Sequence, residues 1–425
     1  MQTEIIIKTI EDGKLDDRFL DIYVDTTKLI YQKKRYVNAI KEFEKHYGMG
    51  DAELFSAPGR SEVGGNHTDH QHGEVLAASI NLDTIGVVRG TNDNQIRIIS
   101  DDYDEVVIDV EDLEARPEEK ETTKALIKGV VAGFVKGGYK VGGFCAYATS
   151  DVLIGAGLSS SAAFETLIGT ILSGLYNNMS VSPVEVAIIG QYAENVYFGK
   201  PCGLMDQMAC SVGNLVHIDF ENPKNPQVEK LDFNMNDYGY SLCITDTKGS
   251  HADLTDEYAA VPKEMKAVAT YFGKEVLREV DMMDVVKAIP QLREKLGDRS
   301  ILRALHFFTE NKRVQEEVTS MKQGNIEAFL RIVKASGDSS FKYLQNVYSN
   351  GDVMNQNISV ALLMSDIALK DAGVSRVHGG GFAGTIQAFV KNDYVLPYKM
   401  QMDSIFGEGS CKDLRIRKYG GMKVL

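Results

Sequence analysis

The chain has 425 residues, of which 44% are hydrophobic and 25% are charged, and its formal net charge at pH 7 is -14. These proportions are ordinary for a globular protein, and the length predicts two domains. The negative charge argues against binding to a nucleic-acid backbone, which usually needs a basic face, but it is compatible with a small anionic ligand.

The sequence also argues against export and membrane insertion. No apolar run approaches the roughly 20 residues of a membrane helix, and the acidic N-terminus MQTEIIIKTIEDGKLDD lacks the pattern of a signal peptide. The five cysteines are widely spaced and form no CxxC pair, which favours reduced thiols over disulfides or a zinc site. We therefore expect a cytoplasmic protein without nucleic-acid or membrane partners.

The first predicted element is a helical segment over residues 1–49. Its aromatic and aliphatic residues recur at spacings of 4, 3 and 4, which places them on one helical face, namely Tyr36, Ile40, Phe43 and Tyr47. Short strands are predicted between residues 55 and 108, with a turn at 92–94. The later predicted elements are a helix over 122–137, a strand over 142–150, a loop leading into a helix near 160, a helix over 182–199, strands over 215–220 and 240–247, mainly helices over 253–347, and a strand, glycine loop and strand over 376–390.

The loop IGAGLSSSAAFE, residues 154–165, is the most informative local pattern. Gly155 and Gly157 permit backbone conformations that other residues avoid, and the serines at 159–161 precede a predicted helix. A helix N-terminus offers unpaired N–H groups and partial positive charge to a phosphate. The loop is not a Walker A motif, since no Gly-Lys-Ser/Thr follows. A serine cap on a core helix is the alternative interpretation.

A second glycine loop, GGGFAG at 379–384, matches the pattern GxGxxG, but TIQAFV follows it and predicts a strand rather than a helix. This order excludes a dinucleotide fingerprint and leaves a tight turn near the first loop, or a plain hairpin. A third stretch, 56–81, holds His67, His70 and His72. A zinc site would need further ligands that the sequence does not place.

Together these motifs resemble the galactokinases, the sugar-kinase branch of the GHMP kinases, from about Arg35 to the C-terminus. The matching stretches are APGRSEVGGNHTDHQHG, GAGLSSSAAFE and RVHGGGFAGTIQAFV, with GKPCGLMDQMACSVG and DTKGSHADLTDEY as further support. The resemblance implies an α+β, two-domain GHMP-kinase fold with the active site between the domains. With the helical segment over 1–49 as an extension, it implies a ribosomal-protein-S5-like α/β domain (50–215) and a ferredoxin-like α+β domain (216–425).

The resemblance also implies roles for individual residues. Asp206 and Arg60 would be catalytic, and Ser161 and Glu194 would bind Mg²⁺. The implied ATP contacts are Ser100, Gly155, Ala156, Gly157, Leu158, Ser159, Ser160 and Ser161. The implied sugar contacts are Asn66, His67, Thr68, Asp69, Gly203 and Tyr258.

This chemistry is reasonable on physical grounds. Phosphoryl transfer depends mainly on positioning and charge neutralisation, and Mg²⁺ prefers hard oxygen ligands such as a hydroxyl and a carboxylate. An arginine beside Asp206 would keep that carboxylate ionised, ready to accept a proton or hydrogen bond from a sugar hydroxyl. For Arg60 and Asp206 as isolated residues, a structural salt bridge is the alternative.

Three positions depart from the usual galactokinase signature. Asn66 replaces a glutamate that contacts the primary-hydroxyl end of the sugar, Glu62 replaces an asparagine, and His70 replaces a tyrosine. Because Asn66 is neutral, a carboxylate at C6 of the sugar becomes admissible. His67 is interpreted as a sugar contact, and no role follows for His72.

The expected function is therefore a Mg²⁺- and ATP-dependent sugar 1-kinase that converts D-galactose to galactose 1-phosphate. A kinase for galacturonate or arabinose is an alternative, as is a catalytically silent sugar sensor on the same fold. The presence of Arg60, Ser161, Glu194 and Asp206 favours an enzyme. The motifs HTDHQHG and CGLMDQ favour the sugar branch over mevalonate or homoserine kinases. A monomer is expected.

Overall fold

The computed structural model of the protein describes residues 1–101, 103–152, 157–200, 202–249 and 254–425. The α-helices of this part are α1 (Thr3–Glu11), α2 (Asp16–Tyr23), α3 (Leu29–Tyr47), α4 (Thr123–Lys136), α5 (Ser160–Asn177), α6 (Pro183–Tyr192), α7 (Met205–Val212), α8 (Thr255–Tyr271), α9 (Met282–Lys287), α10 (Ile289–Leu296), α11 (Asp298–Lys322), α12 (Ile326–Ser339), α13 (Asn357–Leu369) and α14 (Val395–Phe406). Two π-helical segments, Ala193–Phe198 and Ser340–Leu344, directly follow α6 and α12.

The strands of the described residues form two sheets. They are β1 (Glu53–Gly64), β2 (Glu74–Gly90), β3 (Gln95–Ser100), β4 (Val106–Asp109), β5 (Phe144–Ser150), β6 (Leu215–Asp219), β7 (Gln227–Leu231), β8 (Tyr240–Asp246), β9 (Gly373–Val377), β10 (Thr385–Lys391), β11 (Cys411–Leu414) and β12 (Met422–Lys423). The predicted helices and strands are confirmed, except that two strand-like runs between 74 and 90 form the single strand β2.

The larger sheet has the order β12-β1-β2-β5-β3-β4, and β6 and β7 extend it beside β2. Its pairs are antiparallel apart from β3 with β5. The register between β1 and β2 shifts between Pro58 and Arg60, and again between Glu62 and Gly64. Such irregularities re-aim side chains, and these two flank the segment that carries Arg60 and Glu62.

The N-terminal helices α1–α3 cover one face of this sheet. Tyr36, Ile40 and Phe43 are fully buried against β2 residues such as Ile85 and Val87, whereas Tyr47 is only partly buried. The predicted helical face is thus confirmed. A buried ion pair fixes the extension, because Arg35 Nη1 donates to Asp83 Oδ1 at 2.6 Å. Helices α4–α6 cover the opposite face around Leu167 and Ile168 of α5.

The smaller sheet has the antiparallel order β11-β8-β10-β9. Helices α11 and α12 bury Val314 and Val333 in a core with β10 Phe389, and α13 and α14 pack on Ile386 and Ala388. Each sheet thus has helices against it, which agrees with the predicted mixed architecture. In the part of the chain that the structure describes, no helix has both the length and the apolar character to cross a membrane.

The predicted division at residues 49/50 and 215/216 stays a prediction. Strands β6 and β7 reach residue 231 within the larger sheet, and β12 returns to it from the C-terminal end. If sheet membership defines the domains, the second one begins after β7.

Candidate active site

Arg60 and Asp206 form an ion pair between β1 and the first turn of α7. The Nε of Arg60 donates to Asp206 Oδ1 at 2.8 Å, with the carboxylate side chain 34% exposed and the guanidinium nearly enclosed. Burial would raise the pKa of the Asp206 carboxyl, but Arg60 outweighs it and holds this pKa below its usual value. Asp206 is therefore an ionised, reachable hydrogen-bond acceptor at neutral pH.

The serine loop contacts both members of this pair. Ser159 Oγ donates to Asp206 Oδ2 at 2.5 Å, and the Arg60 guanidinium donates to the carbonyl oxygen of Gly157. The neighbouring Leu158 turns its side chain into the core, while its carbonyl accepts from the backbone N–H of Arg60 at 3.1 Å. The predicted loop residues Gly155 and Ala156 lie outside the described residues.

Helix α5 begins immediately after Ser159, whose own backbone lies in the left-handed region at φ 56°. The Ser159 hydroxyl makes no capping bond to α5, because it is bonded to Asp206. The first-turn N–H groups of this 18-residue helix are therefore not capped by that side chain. They form a site suited to phosphate, which favours the ligand interpretation over a simple serine cap.

Ser161 and Glu194 lie together beside this helix terminus. Ser161 Oγ donates to Glu194 Oε1 at 3.3 Å, close to the roughly 3 Å that separates neighbouring oxygen ligands in an octahedral Mg²⁺ shell. No three His, Cys, Asp or Glu residues of the described chain form a metal-holding group. The pair thus fits an ion that takes its other ligands from water and phosphate, as Mg²⁺ commonly does.

Gln207 supports Glu194 and was not predicted from the sequence. Its Nε2 donates to Glu194 Oε2 at 2.8 Å and to Glu165 Oε2 at 3.1 Å. Burial, then the negative charge of Glu194, raises the pKa of Glu165 well above its ordinary value. Glu194 itself lies in the π-helical segment, a distortion often found at functional sites.

A cavity of about 570 Å³ adjoins the helix terminus. Ser160 and Ser161 line it, as does Ser100, the predicted nucleotide contact at the end of β3. Its other walls include unpredicted, mostly apolar residues, namely Tyr103, Val106, Leu126 and Phe164. A mostly apolar cavity of this size suits the base and ribose of a nucleotide, with the phosphates directed at α5.

The predicted sugar contacts fall into two groups. Asp69 lies against Gly203, where an added Cβ would collide with Asp69 Oδ2 and would displace this carboxylate. His67 has its Nε2 at 3.0 Å from the carbonyl of Gly380, and Tyr258 donates to the carbonyl of Gly381 at 2.6 Å. Gly203 lies three residues before Asp206 in the chain, whereas His67 and Tyr258 contact the glycine motif of the smaller sheet.

Asn66 and Thr68 are placed differently, since both are fully buried. Thr68 Oγ1 is bonded to the carbonyls of Gly65 and Glu74 within its own loop. The Asn66 amide donates to Glu62 Oε1 and to Gly379 O, and its carbonyl oxygen accepts from Ser340 and Asn346. An asparagine amide has two donor hydrogens and two acceptor lone pairs, so protein groups occupy all four positions.

The glycine motif also approaches the serine loop, as the sequence allowed. A Cβ on Gly157 would lie 3.2 Å from Thr385 Oγ1 and 3.4 Å from His378 Nδ1. His378 accepts from the backbone N–H of Glu62 and contacts Ser61 Oγ at 3.1 Å. The two sheets therefore meet at the strand that carries Arg60.

Comparison with known proteins gives the class and then the family. The family profile described as the GHMP kinases N terminal domain matches residues 125–214, and the profile described as the galactokinase galactose-binding signature matches residues 41–90. The galactokinase of Actinobacillus pleuropneumoniae serotype 3 is 30% identical over 361 residues, covering 84% of this chain and 90% of the relative. That of Glaesserella parasuis is 29% identical over 362 residues, covering 83% and 89%.

Solved structures show the same fold. Lactococcus lactis galactokinase complexed with galactose superposes with a TM-score of 0.75 at 24% identity, covering 90% of this chain and 98% of its own. Mevalonate kinase of Methanococcus jannaschii gives a TM-score of 0.61 at 13% identity, with coverage of 86% and 99%. The fold and the site define a GHMP-type kinase. The chain belongs to the galactokinase family, as the motifs predicted.

Proposed function

We propose that the protein transfers the γ-phosphoryl group of ATP to the anomeric hydroxyl of D-galactose, giving galactose 1-phosphate and ADP. The observation that supports this proposal most directly is the contact of Asp206 with both Arg60 and Ser159 at the start of α5. It puts an ionised carboxylate next to a phosphate-binding terminus. Family membership and the galactokinases among the relatives support galactose as the acceptor. A monomeric, cytoplasmic enzyme of two domains goes with this proposal.

Asp206 is the proposed proton acceptor. The O–H bond of the anomeric hydroxyl breaks as its proton passes to the carboxylate. The sugar oxygen bonds to the γ-phosphorus, and the bond from phosphorus to the bridging oxygen breaks with its electrons leaving on ADP. Proton removal at a positioned hydroxyl contributes about 10²- to 10⁴-fold in such reactions.

Arg60 supplies fixed positive charge at the same place. Burial would lower the pKa of its guanidinium, but Asp206 raises it above the ordinary value, so the group stays charged at every working pH. It steadies the ionised carboxylate and neutralises charge that develops on the transferring group. Ser161 and Glu194 would hold Mg²⁺, which when bound neutralises phosphate charge.

The alternatives are less well supported. A silent sugar sensor would not need Asp206 to be ionised and reachable beside Arg60, whereas an enzyme would. A galacturonate or arabinose kinase shares the phosphoryl-transfer groups and differs only in the sugar contacts.

The test is an ADP-release assay over D-galactose, D-galacturonate, L-arabinose and D-glucose, with the phosphorylated carbon assigned by ³¹P and ¹³C NMR. We expect the highest kcat/KM with galactose, phosphate on C1, and loss of turnover on chelation that Mg²⁺ alone restores. Galactose binding without ADP release from any sugar would identify a sensor and overturn the proposal.

A further inference from the structure

Glu62 shares the strand segment of Arg60 and faces the same side. The β1–β2 register is regular from Arg60 to Glu62, with Arg60 opposite Ser79 and Glu62 opposite Ala77. Residues two apart on a regular strand project to the same face of the sheet. The Glu62 carboxylate therefore points toward the side on which Arg60 meets Asp206.

One oxygen of this carboxylate is anchored and the other is open. Oε1 accepts from Arg376 Nη2 at 2.9 Å and from Asn66 Nδ2 at 2.9 Å. Oε2 accepts no hydrogen bond from any residue that the structure describes, although the side chain is only 6% exposed. It is not among the sealed, unpartnered oxygens of the described residues, so part of it is accessible from the adjoining space.

Hydrogen bonds locate that space. The Asn66 amide that donates to Glu62 Oε1 also donates to the carbonyl of Gly379 at 2.7 Å, and His67 Nε2 lies 3.0 Å from the next carbonyl of this glycine motif. Arg60 lies on the same face of β1 as Glu62. Glu62 thus lies between Arg60 and the glycine motif that His67 contacts, and burial raises its pKa to about 7.

We propose that Glu62 is a specificity-determining residue, whose free Oε2 accepts a hydrogen bond from a neutral hydroxyl of the sugar. This inference rests on the proposed function. Asn66 then acts through Glu62: its amide positions the carboxylate and does not itself face the ligand. The carboxyl group that position 66 lacks is supplied by Glu62 instead.

The consequence for substrate choice is opposite to the expectation drawn from Asn66 alone. Glu62 and Asp69 border the sugar space, so a uronate would place a third carboxylate near two others in a partly desolvated site. Like charges in such a setting are costly. The site should therefore accept galactose and discriminate against galacturonate.

The alternative is that Glu62 is only a buried partner for Arg376. Glu310 offers a matched control, because it is also buried, pairs with Arg313 at 2.7 Å and accepts from the backbone of the same loop. Losing either charge should lower stability, but only Glu62 should alter sugar recognition.

The experiment compares Glu62→Gln with Glu310→Gln in kcat/KM for both sugars, KM for ATP, and galactose affinity by calorimetry. We expect E62Q to weaken galactose affinity about tenfold, to leave the KM for ATP within twofold, and to lower the preference for galactose over galacturonate at least about tenfold. E310Q should leave that preference unchanged within twofold.

A second variant, Glu62→Asp, keeps the proposal testable if E62Q does not fold. It retains a carboxylate for Arg376 but is one methylene shorter, so its free oxygen should no longer reach the sugar, and galactose affinity should fall about tenfold while the KM for ATP stays within twofold. Equal galactose affinity in wild type and E62Q, or equal loss of preference in E62Q and E310Q, would overturn the role of Glu62. Absence of turnover with every sugar would instead refute the proposed function, and the calorimetric comparison would still decide on Glu62.

Discussion

The two ends of the segment from Ser56 to Gly73 use their polar residues in opposite ways. At Arg60, the side chain contacts the serine loop and the partly exposed Asp206. At Asn66, every hydrogen-bonding position of the side chain is taken by other protein groups. A motif shared with an enzyme family thus contains residues placed at the proposed phosphoryl-transfer site and residues whose hydrogen bonds hold the loop in place.

The end of the segment around Asn66, here called the holding end, is fixed largely by residues that are distant in the chain. His306 of α11 lies 3.0 Å from the carbonyl of Asn66, and Glu310 accepts from the backbone N–H of Gly65 at 3.2 Å. Burial opposes ionisation of Glu310, but Arg313 outweighs it and lowers the pKa of Glu310 to about 2. This network is ionised and satisfied, so its loss should affect stability before it affects chemistry.

The largest effect is expected from Asp206→Asn, which removes the proton acceptor at the reactive end. The amide keeps the shape but cannot take the sugar proton, so kcat should fall by about 10³- to 10⁴-fold. Steady-state kinetics and nucleotide titration provide the measurement, and ATP affinity should stay within a few-fold. Substantial turnover at saturating galactose would remove Asp206 from its assigned role.

Arg60→Ala should have the next largest effect, lowering kcat by about 10²- to 10³-fold with a smaller rise in the KM for galactose. The guanidinium matters most where charge develops, and its loss also frees the pKa of Asp206 to rise. The kcat and KM values separate these roles. A change confined to the KM for galactose would make Arg60 a ground-state contact.

How much of the fold and of the candidate site the sequence predicts depends on whether the contacts involved are local or distant in the chain. Spacing within one helix was enough to identify the buried face of α3, because the pattern is local. The motifs also identified Arg60, Ser159 and Asp206, which the structure brings into contact. The complete hydrogen bonding of the Asn66 side chain could not be predicted, since its partners Ser340 and Asn346 lie 274 and 280 positions away in the chain. The sequence shows that Glu62 replaces an asparagine and that Asn66 replaces a glutamate. It does not show that Arg376 pairs with Glu62, which makes a buried carboxylate at position 62 possible.

Asn66→Glu probes the holding end and should cost stability. It replaces a satisfied amide by a carboxylate facing Glu62 Oε1 and the carbonyl of Gly379, where only donors fit. We expect the free energy of unfolding to fall by about 3–4 kcal/mol, measured by urea denaturation. If the variant is as stable as the wild type and gains galactose affinity, Asn66 faces the sugar after all.

Acid should weaken the same network through His306. Burial lowers the pKa of His306 to about 4, below the roughly 6.5 of an unfolded chain. The unfolded state therefore binds the proton first, and stability present above pH 6.5 is lost as the pH falls toward 4. At pH 5 the titration of His306 should lower the free energy of unfolding by about 2 kcal/mol relative to neutral pH.

The check is urea denaturation of wild type and His306→Gln at pH 7 and pH 5. Glutamine can still donate to Asn66 O and accept from Ser339, but it does not titrate. The loss of stability on acidification should shrink by about 2 kcal/mol in the variant. It should not vanish, because burial also lowers the pKa of His70 to about 4. An unchanged acid dependence would mean that His306 is already protonated in the folded protein.

The smallest effect is expected from His72→Asn, at the far end of the segment. His72 lies in the left-handed region at φ 57°, where its backbone N–H closes a turn to Asp69 O at 3.0 Å. Asparagine tolerates this conformation better than most residues. The family motif assigns no role to this imidazole. We expect kcat/KM to stay within twofold and the free energy of unfolding within about 0.5 kcal/mol. Metal analysis of the purified protein gives the opposing outcome: stoichiometric zinc in the wild type that disappears in the variant would make the histidine stretch a metal site, and the loop would then be held by an ion rather than by Glu310 and His306.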